Sequence, residues 1–194
     1  MNFNKSTITT IGDIAKSCCL NPRALNSFRK KVKAMKDYRV AFPHSYRSGR
    51  SNYIAIQELL DAASDGTLKY GGQGKSAPDF WLGEKWGETK SFEPGKTTAH
   101  VAASAYFASN SKVPKHRKLL RENPIAAKQM LFEDSYDKND VYCLTGTGKN
   151  DSADPEDIEV IFVSKELLVS CLTSTSNFKE VDLKLLRSKI LTNP

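Results

Sequence analysis

Apolar residues recur along this chain with two periods, one helical and one strand-like, and the switches between them mark out its elements. Ile11, Ile14 and Ala15 follow a Thr cap at helical spacing and predict a short helix. A break comes at Cys18-Cys19-Leu20-Asn21, and Pro22 stands where a helix accepts its first residue. Over residues 23–35 Leu25, Phe28 and Val32 share one face, with Arg23, Arg29, Lys30, Lys31 and Lys33 on much of the rest. Residues 38–51, with Pro43, Gly49 and three arginines, Arg39, Arg47 and Arg50, read as a loop or wing. The helical period returns over 52–63 through Ile54, Ile56, Leu59 and Leu60. Residues 67–70 read as a first strand, 97–108 as a helix of small residues lying close on a sheet, and 141–145 and 158–163 as buried strands. Ser164 caps an expected helix over 165–171, and a last amphipathic helix is expected over 181–191.

Between the first strand and the small-residue helix lies Ala77-Pro78-Asp79-Phe80-Trp81-Leu82-Gly83-Glu84-Lys85-Trp86-Gly87-Glu88-Thr89-Lys90-Ser91-Phe92, two short strands around a tight turn. Side chains alternate across a strand, so Glu88 and Lys90 share a face and Thr89 points away. A two-residue turn at Gly83-Glu84 sets Asp79 opposite Glu88, and a turn at Glu84-Lys85 sets it opposite Lys90. Either puts the three polar side chains on one face; an odd-length loop breaks the cluster. Two carboxylates beside an ammonium suit a hard divalent cation such as Mg²⁺ and an activated water.

Composition narrows the classes. With 39% hydrophobic and 26% charged residues, the 194-residue chain has the make-up of a globular protein with a real core. No apolar run is long enough to span a bilayer and no N-terminal apolar stretch reads as a secretory signal, so a cytoplasmic protein without membrane partners is expected. Cys18, Cys19, Cys143 and Cys171 lack metal-type spacing and read as buried thiols, and His44, His100 and His116 have no helical partner. The Gly71-Gly72-Gln73-Gly74-Lys75 stretch is too short for a phosphate loop, so no nucleotide cofactor is expected. The net charge of +7 is unevenly placed: residues 1–50 hold eleven Lys/Arg against two acids, and 51–194 hold eighteen against twenty. Segregation of that kind points to a polyanion met by the N-terminal quarter, with a second basic cluster at Lys112, Lys115, Arg117, Lys118 and Arg121.

Pro78-Asp79, eight intervening residues and Glu88-Thr89-Lys90 resemble the signature of the PD-(D/E)xK nuclease superfamily. The order helix, strand, hairpin, helix, strand, strand, helix is similar to that superfamily's core, so the expected fold is α/β, a mixed central sheet flanked by helices over 51–194. The pair of short helices in 1–50 resembles a helix-turn-helix, with Ala15, Cys19 and Leu25 at its packing positions; Cys19 departs from the glycine that its turn prefers. Arg23 and Asn26 would approach base edges, and Arg29, Lys30, Lys33, Arg47 and Arg50 would meet phosphates beside Lys115, Arg117 and Lys118. The resemblance implies a Mg²⁺-dependent endonuclease of double-stranded DNA, most like a type II restriction enzyme. Asp79, Glu88 and the Thr89 carbonyl would then hold the metal, with Lys90 polarising the water and Glu58 as a further acid. Cutting both strands of a palindrome implies a homodimer. A junction resolvase, a repair nickase and a regulator without catalysis are the rival readings.

Overall fold

Thr10 ends the first strand and starts the first helix. Its backbone is extended (φ −119°, ψ 163°), which closes β1, Thr7–Thr10, while its hydroxyl accepts the Asp13 N–H at 3.1 Å and caps α1, Ile11–Cys18. The computed structural model describes residues 3, 5–41, 50–71, 78–101, 118, 121–123, 139–147, 154–173 and 179–192. Arg47, Lys115 and Arg117 lie outside them, as does most of the helix expected over 97–108.

After α1 come α2, Pro22–Ala41, and α3, Arg50–Ala63, then three strands: β2, Leu68–Tyr70; β3, Phe80–Leu82; and β4, Lys85–Phe92. β5, Thr98–His100, precedes β6, Val141–Gly146, and a 3₁₀ turn at Pro155–Asp157 leads into β7, Glu159–Ser164. The described chain closes with α4, Lys165–Val169; β8, Glu180–Asp182; and α5, Leu183–Thr192. Six strands form one mixed sheet in the order β1-β7-β6-β4-β3-β2, in which only β4 and β6 run parallel, and β5 pairs with β8 beside it. The fold is α/β with a mixed central sheet, as the order of elements predicts.

Alternation along the strands gives the sheet two apolar faces. Phe80, Leu82, Val141, Cys143, Val160 and Phe162 face a cluster that α1, α2 and α3 complete with Ile11, Ile14, Phe28, Val32, Ile56 and Leu59. Phe92, Tyr142, Leu144, Ile161 and Val163 face the opposite way, onto Leu168, Val181, Leu183, Leu186 and Ile190 of α4, β8 and α5. Both faces are covered, which explains why β6 reads as an uninterrupted buried run.

Several expectations are corrected. Thr7–Thr10 form a strand paired antiparallel with β7, so the N-terminal stretch contributes an edge of the central sheet. The second helix continues through Ala41, past the start of the loop expected from residue 38, with Tyr38 packed against the cluster that Ala24, Phe28, Val32 and Met35 line or border. Thr98–His100 extend against β8 where a helix was expected, and Val181, read as the start of the last helix, belongs to β8. Cys18 and Cys19 are only partly buried, whereas Cys143 and Cys171 are buried free thiols. The turn between α1 and α2 has no need of glycine: Cys19 sits at φ −79°, and its thiol lies against the Ala62 and Ala63 carbonyls of α3. Within the 1–50 segment read as helix-turn-helix-like, α1 and α2 share their apolar cluster with α3 and the sheet.

Candidate active site

The hairpin carries its own geometry. Gly83 takes φ +62°, and β3 and β4 pair as Leu82↔Lys85, Trp81↔Trp86 and Phe80↔Gly87, the register set by a Gly83-Glu84 turn. Gly87 is required for a second reason: a Cβ there would stand 2.2 Å from Cζ of the buried Phe80 ring. The ring lies over the strand one residue before Glu88 and locks the two strands together.

At Asp79 the ladder slips. Its N–H donates to the Gly87 carbonyl at 3.0 Å although Gly87 is already the register partner of Phe80, and its own carbonyl accepts from Gly71 of the neighbouring chain segment at 2.9 Å. The result is a bulge-like step that turns the side chain into the ladder, where Asp79 Oδ2 accepts the Thr89 N–H at 2.8 Å. Glu88 and Lys90 share one face of β4, as alternation predicts, and ion-pair with each other while three-quarters buried as side chains. Asp79 does not stand on that face as a simple cross-strand neighbour. Its carboxylate meets β4 at the Thr89 backbone, between Glu88 and Lys90, where β3 ends and β4 continues.

Burial pushes the Glu88 carboxyl above its ordinary range; Lys90 pulls it back down, and Asp79 adds to the rise. The two carboxylates therefore feel each other, with Lys90 as the neutralising partner. A residue's N–H and C=O point to the same side of a strand, so the Thr89 carbonyl opens toward the gap that Asp79 occupies. The Thr89 side chain turns the other way and is buried under α3, its hydroxyl unpartnered among the described residues.

α3 contributes Tyr53 and Gln57 to the site. Tyr53 hydrogen-bonds Asp79, and burial first, then the Asp79 and Glu88 charges, drive its phenol far above the ordinary range, so it stays a neutral donor. Gln57, one turn further on, is 2% exposed. With Thr89, Cys143, Leu60, Leu68, Phe80 and Phe162 it lines a cavity of about 10 Å³ beneath the strand. Sequence reading passed over both residues because a Tyr and a Gln at i, i+4 look like ordinary helix positions. The signal available was their place on the helix that precedes the hairpin.

Glu58 is placed elsewhere. It ion-pairs with Lys31 of α2 at 2.6 Å and faces that helix, so the acid expected from α3 does not join Asp79 and Glu88 in this structure. Arg23, Asn26, Arg29, Lys30 and Lys33 are all exposed on α2, and Lys33 pairs with Asp37 at 2.7 Å. α2 belongs to the layer over one face of the sheet, whereas Glu88 and Lys90 point to the other face. Arg50 opens α3, and Lys118 pairs with Glu122 at 3.9 Å. The structure thus brings together Asp79, Glu88, Thr89 and Lys90, and leaves the α2 cations on a different side of the molecule.

No protein-family model matches the chain, and no curated protein or solved structure matches it.

Proposed function

We propose that the chain is a Mg²⁺-dependent endonuclease of DNA whose centre is Asp79, Glu88 and Lys90. The observation that supports this reading is the bulge at Asp79, which delivers a second carboxylate to the Glu88-Lys90 pair at a break in the sheet. The helix–strand–hairpin run from α3 to β4, followed by the parallel strand β6, is compatible with a restriction-endonuclease-like core.

The donor set fits a hard divalent ion. Two carboxylates and a backbone carbonyl are all oxygen ligands, the kind a hard cation takes. Asp79, Glu88 and the Thr89 carbonyl would hold Mg²⁺, which when bound supplies Lewis acidity toward the phosphate and lowers the pKa of a water. Asp79 is oriented for this by two donors, the Thr89 N–H and the Tyr53 hydroxyl. Lys90 orients the attacking water and offsets the charge that builds on the phosphate oxygens. The partial burial of Glu88 and Lys90 lowers the local dielectric, which strengthens both effects.

A type II restriction activity on double-stranded DNA is the form we favour, with two copies of the chain cutting a palindrome. Incubation of plasmid with the protein and Mg²⁺ tests it. Discrete fragments that vanish in Lys90→Ala and Asp79→Ala are expected; DNA binding without cleavage would instead support a regulator.

A further inference from the structure

Trp81 and Trp86 stand beside the candidate centre and play no part in it so far. They are register partners across β3 and β4, half-buried, with ring centroids 5.7 Å apart and planes at 83°. Trp86, Glu88 and Lys90 follow each other at every second position of β4, so the rings share a sheet face with the Glu88-Lys90 pair, about 7 Å from Glu88 along the strand. On the far side of Trp81 the register continues to Lys69 of β2, which is exposed on the same face. A cation, two aromatic rings and the ionic pair therefore run across and along one surface. Asp140, next to Trp86 on the β6 side, spends its carboxylate on the Trp86 N–H at 2.9 Å.

A cross-strand tryptophan pair also stabilises a hairpin, and its edge-to-face geometry is worth about 0.5–1.5 kcal/mol to this one. Hairpin stability, however, does not call for a lysine in the same row or for proximity to two carboxylates. We infer that Trp81 and Trp86 form a stacking site for an unpaired nucleobase next to the scissile phosphate, with Lys69 against the backbone of that nucleotide. The inference rests on the nuclease reading for the position of the phosphate and narrows its substrate: a base in an intact duplex has both faces covered by its neighbours, so a ring can stack only on one that has left the helix or lies in a single strand. In duplex DNA the base at the cut must then leave the helix before hydrolysis, and strands in which it is already unpaired bind more tightly.

The chain has two tryptophans, so its emission on excitation beyond the tyrosine absorption band reports on this pair alone. Without divalent cation, a short single-stranded oligodeoxynucleotide should quench that emission on titration, and so should a duplex carrying one unpaired base; a blunt, fully paired duplex should quench far less. Trp86→Ala should weaken single-strand affinity at least about fivefold, the lower end of one base–aromatic stack. Lys69→Glu, which leaves the hairpin intact, should also weaken it and keep the protein testable if Trp86→Ala does not fold. The same titration with an RNA strand of equal sequence tells which sugar the site prefers; tighter quenching by either strand supports the stacking site. Equal quenching by paired and unpaired DNA, or none by either, overturns the inference. Quenching by single strands with no cleavage of any strand in Mg²⁺ retains the stacking site and removes the nuclease reading, whereas cleavage without quenching does the reverse.

Discussion

Replacing Gly87 by alanine tests the mechanics of the hairpin directly. The backbone of Gly87 lies outside the left-handed region, so alanine is permitted there, and a permissive Gly→Ala change in a strand normally stabilises by about 0.4–1 kcal/mol through the unfolded chain. Here the sign should reverse. The new methyl would stand 2.2, 2.3 and 2.5 Å from Cζ, Cε2 and Cε1 of Phe80, a ring 4% exposed with the core around it, so the ring must be displaced. Overpacking of that kind costs about 1–3 kcal/mol. For a chain of this length that amounts to a fall in Tm of about 2–4 °C per kcal/mol. Chemical denaturation of the wild type, Gly87→Ala, Phe80→Leu and the double variant forms a cycle in which the shorter Leu side chain relieves the clash. The double variant should therefore be more stable than the sum of the single losses predicts, by roughly the overpacking cost. Additive losses, or a stabilised Gly87→Ala, would refute the packing assigned to the Phe80 ring. Cleavage by Gly87→Ala should drop as well, because the Gly87 carbonyl holds the Asp79 N–H.

Other outcomes follow from the same geometry. Glu58→Ala should leave plasmid cleavage in Mg²⁺ near the wild-type rate and cost less than about 1 kcal/mol, since Glu58 is engaged in an exposed pair with Lys31; loss of cleavage would return it to the metal site. Glu88 has its native pKa raised above 4.5, so the native state holds the proton more tightly than the unfolded chain, and metal-free stability should fall as pH rises through the interval from 4.5 to the raised value. Glu88→Gln should flatten that part of the curve and stabilise the metal-free protein at neutral pH, as seen by urea midpoints at a series of pH values, while abolishing cleavage. Arg187 forks both Glu159 oxygens, at 3.1 and 2.9 Å, and stacks over Phe92, so Arg187→Lys should lose most of what Arg187→Ala loses; recovery of the wild-type denaturation midpoint by lysine would contradict a bidentate, stacked role.

Local chemistry made much of this legible. Thr10 and Ser164 cap the helices that their side chains predict, because a cap is a contact within four residues. The Gly83-Glu84 turn follows from glycine's access to positive φ, and the Glu88-Lys90 pairing follows from strand alternation. Long-range partners were not legible in this way. Thr7–Thr10 are all β-branched and so favour an extended backbone, but their pairing with β7 is recorded by no short-range spacing, and Thr98–His100 extend because β8 lies beside them. Residues 38–51 read as loop, yet α2 runs on to Ala41 in contact with α3 and the 3₁₀ turn.

The sequence by itself determined the hairpin and the acid–lysine pair, since each depends on spacings of a few residues and on backbone preferences that hold in any surroundings; between the two registers open to the hairpin, the structure takes the one with Gly83-Glu84 in the turn. Only the tertiary structure decided how Asp79 meets that pair. Its carboxylate enters through a slip in the ladder that requires β2 on one side, the Phe80 ring over Gly87 on the other, and Tyr53 arriving from a helix twenty-six residues earlier in the chain. It also decided that Glu58 turns to Lys31 and that α2 lies over the sheet face opposite Glu88 and Lys90, because which side of a helix meets a sheet depends on packing among distant elements, and no short-range period records that.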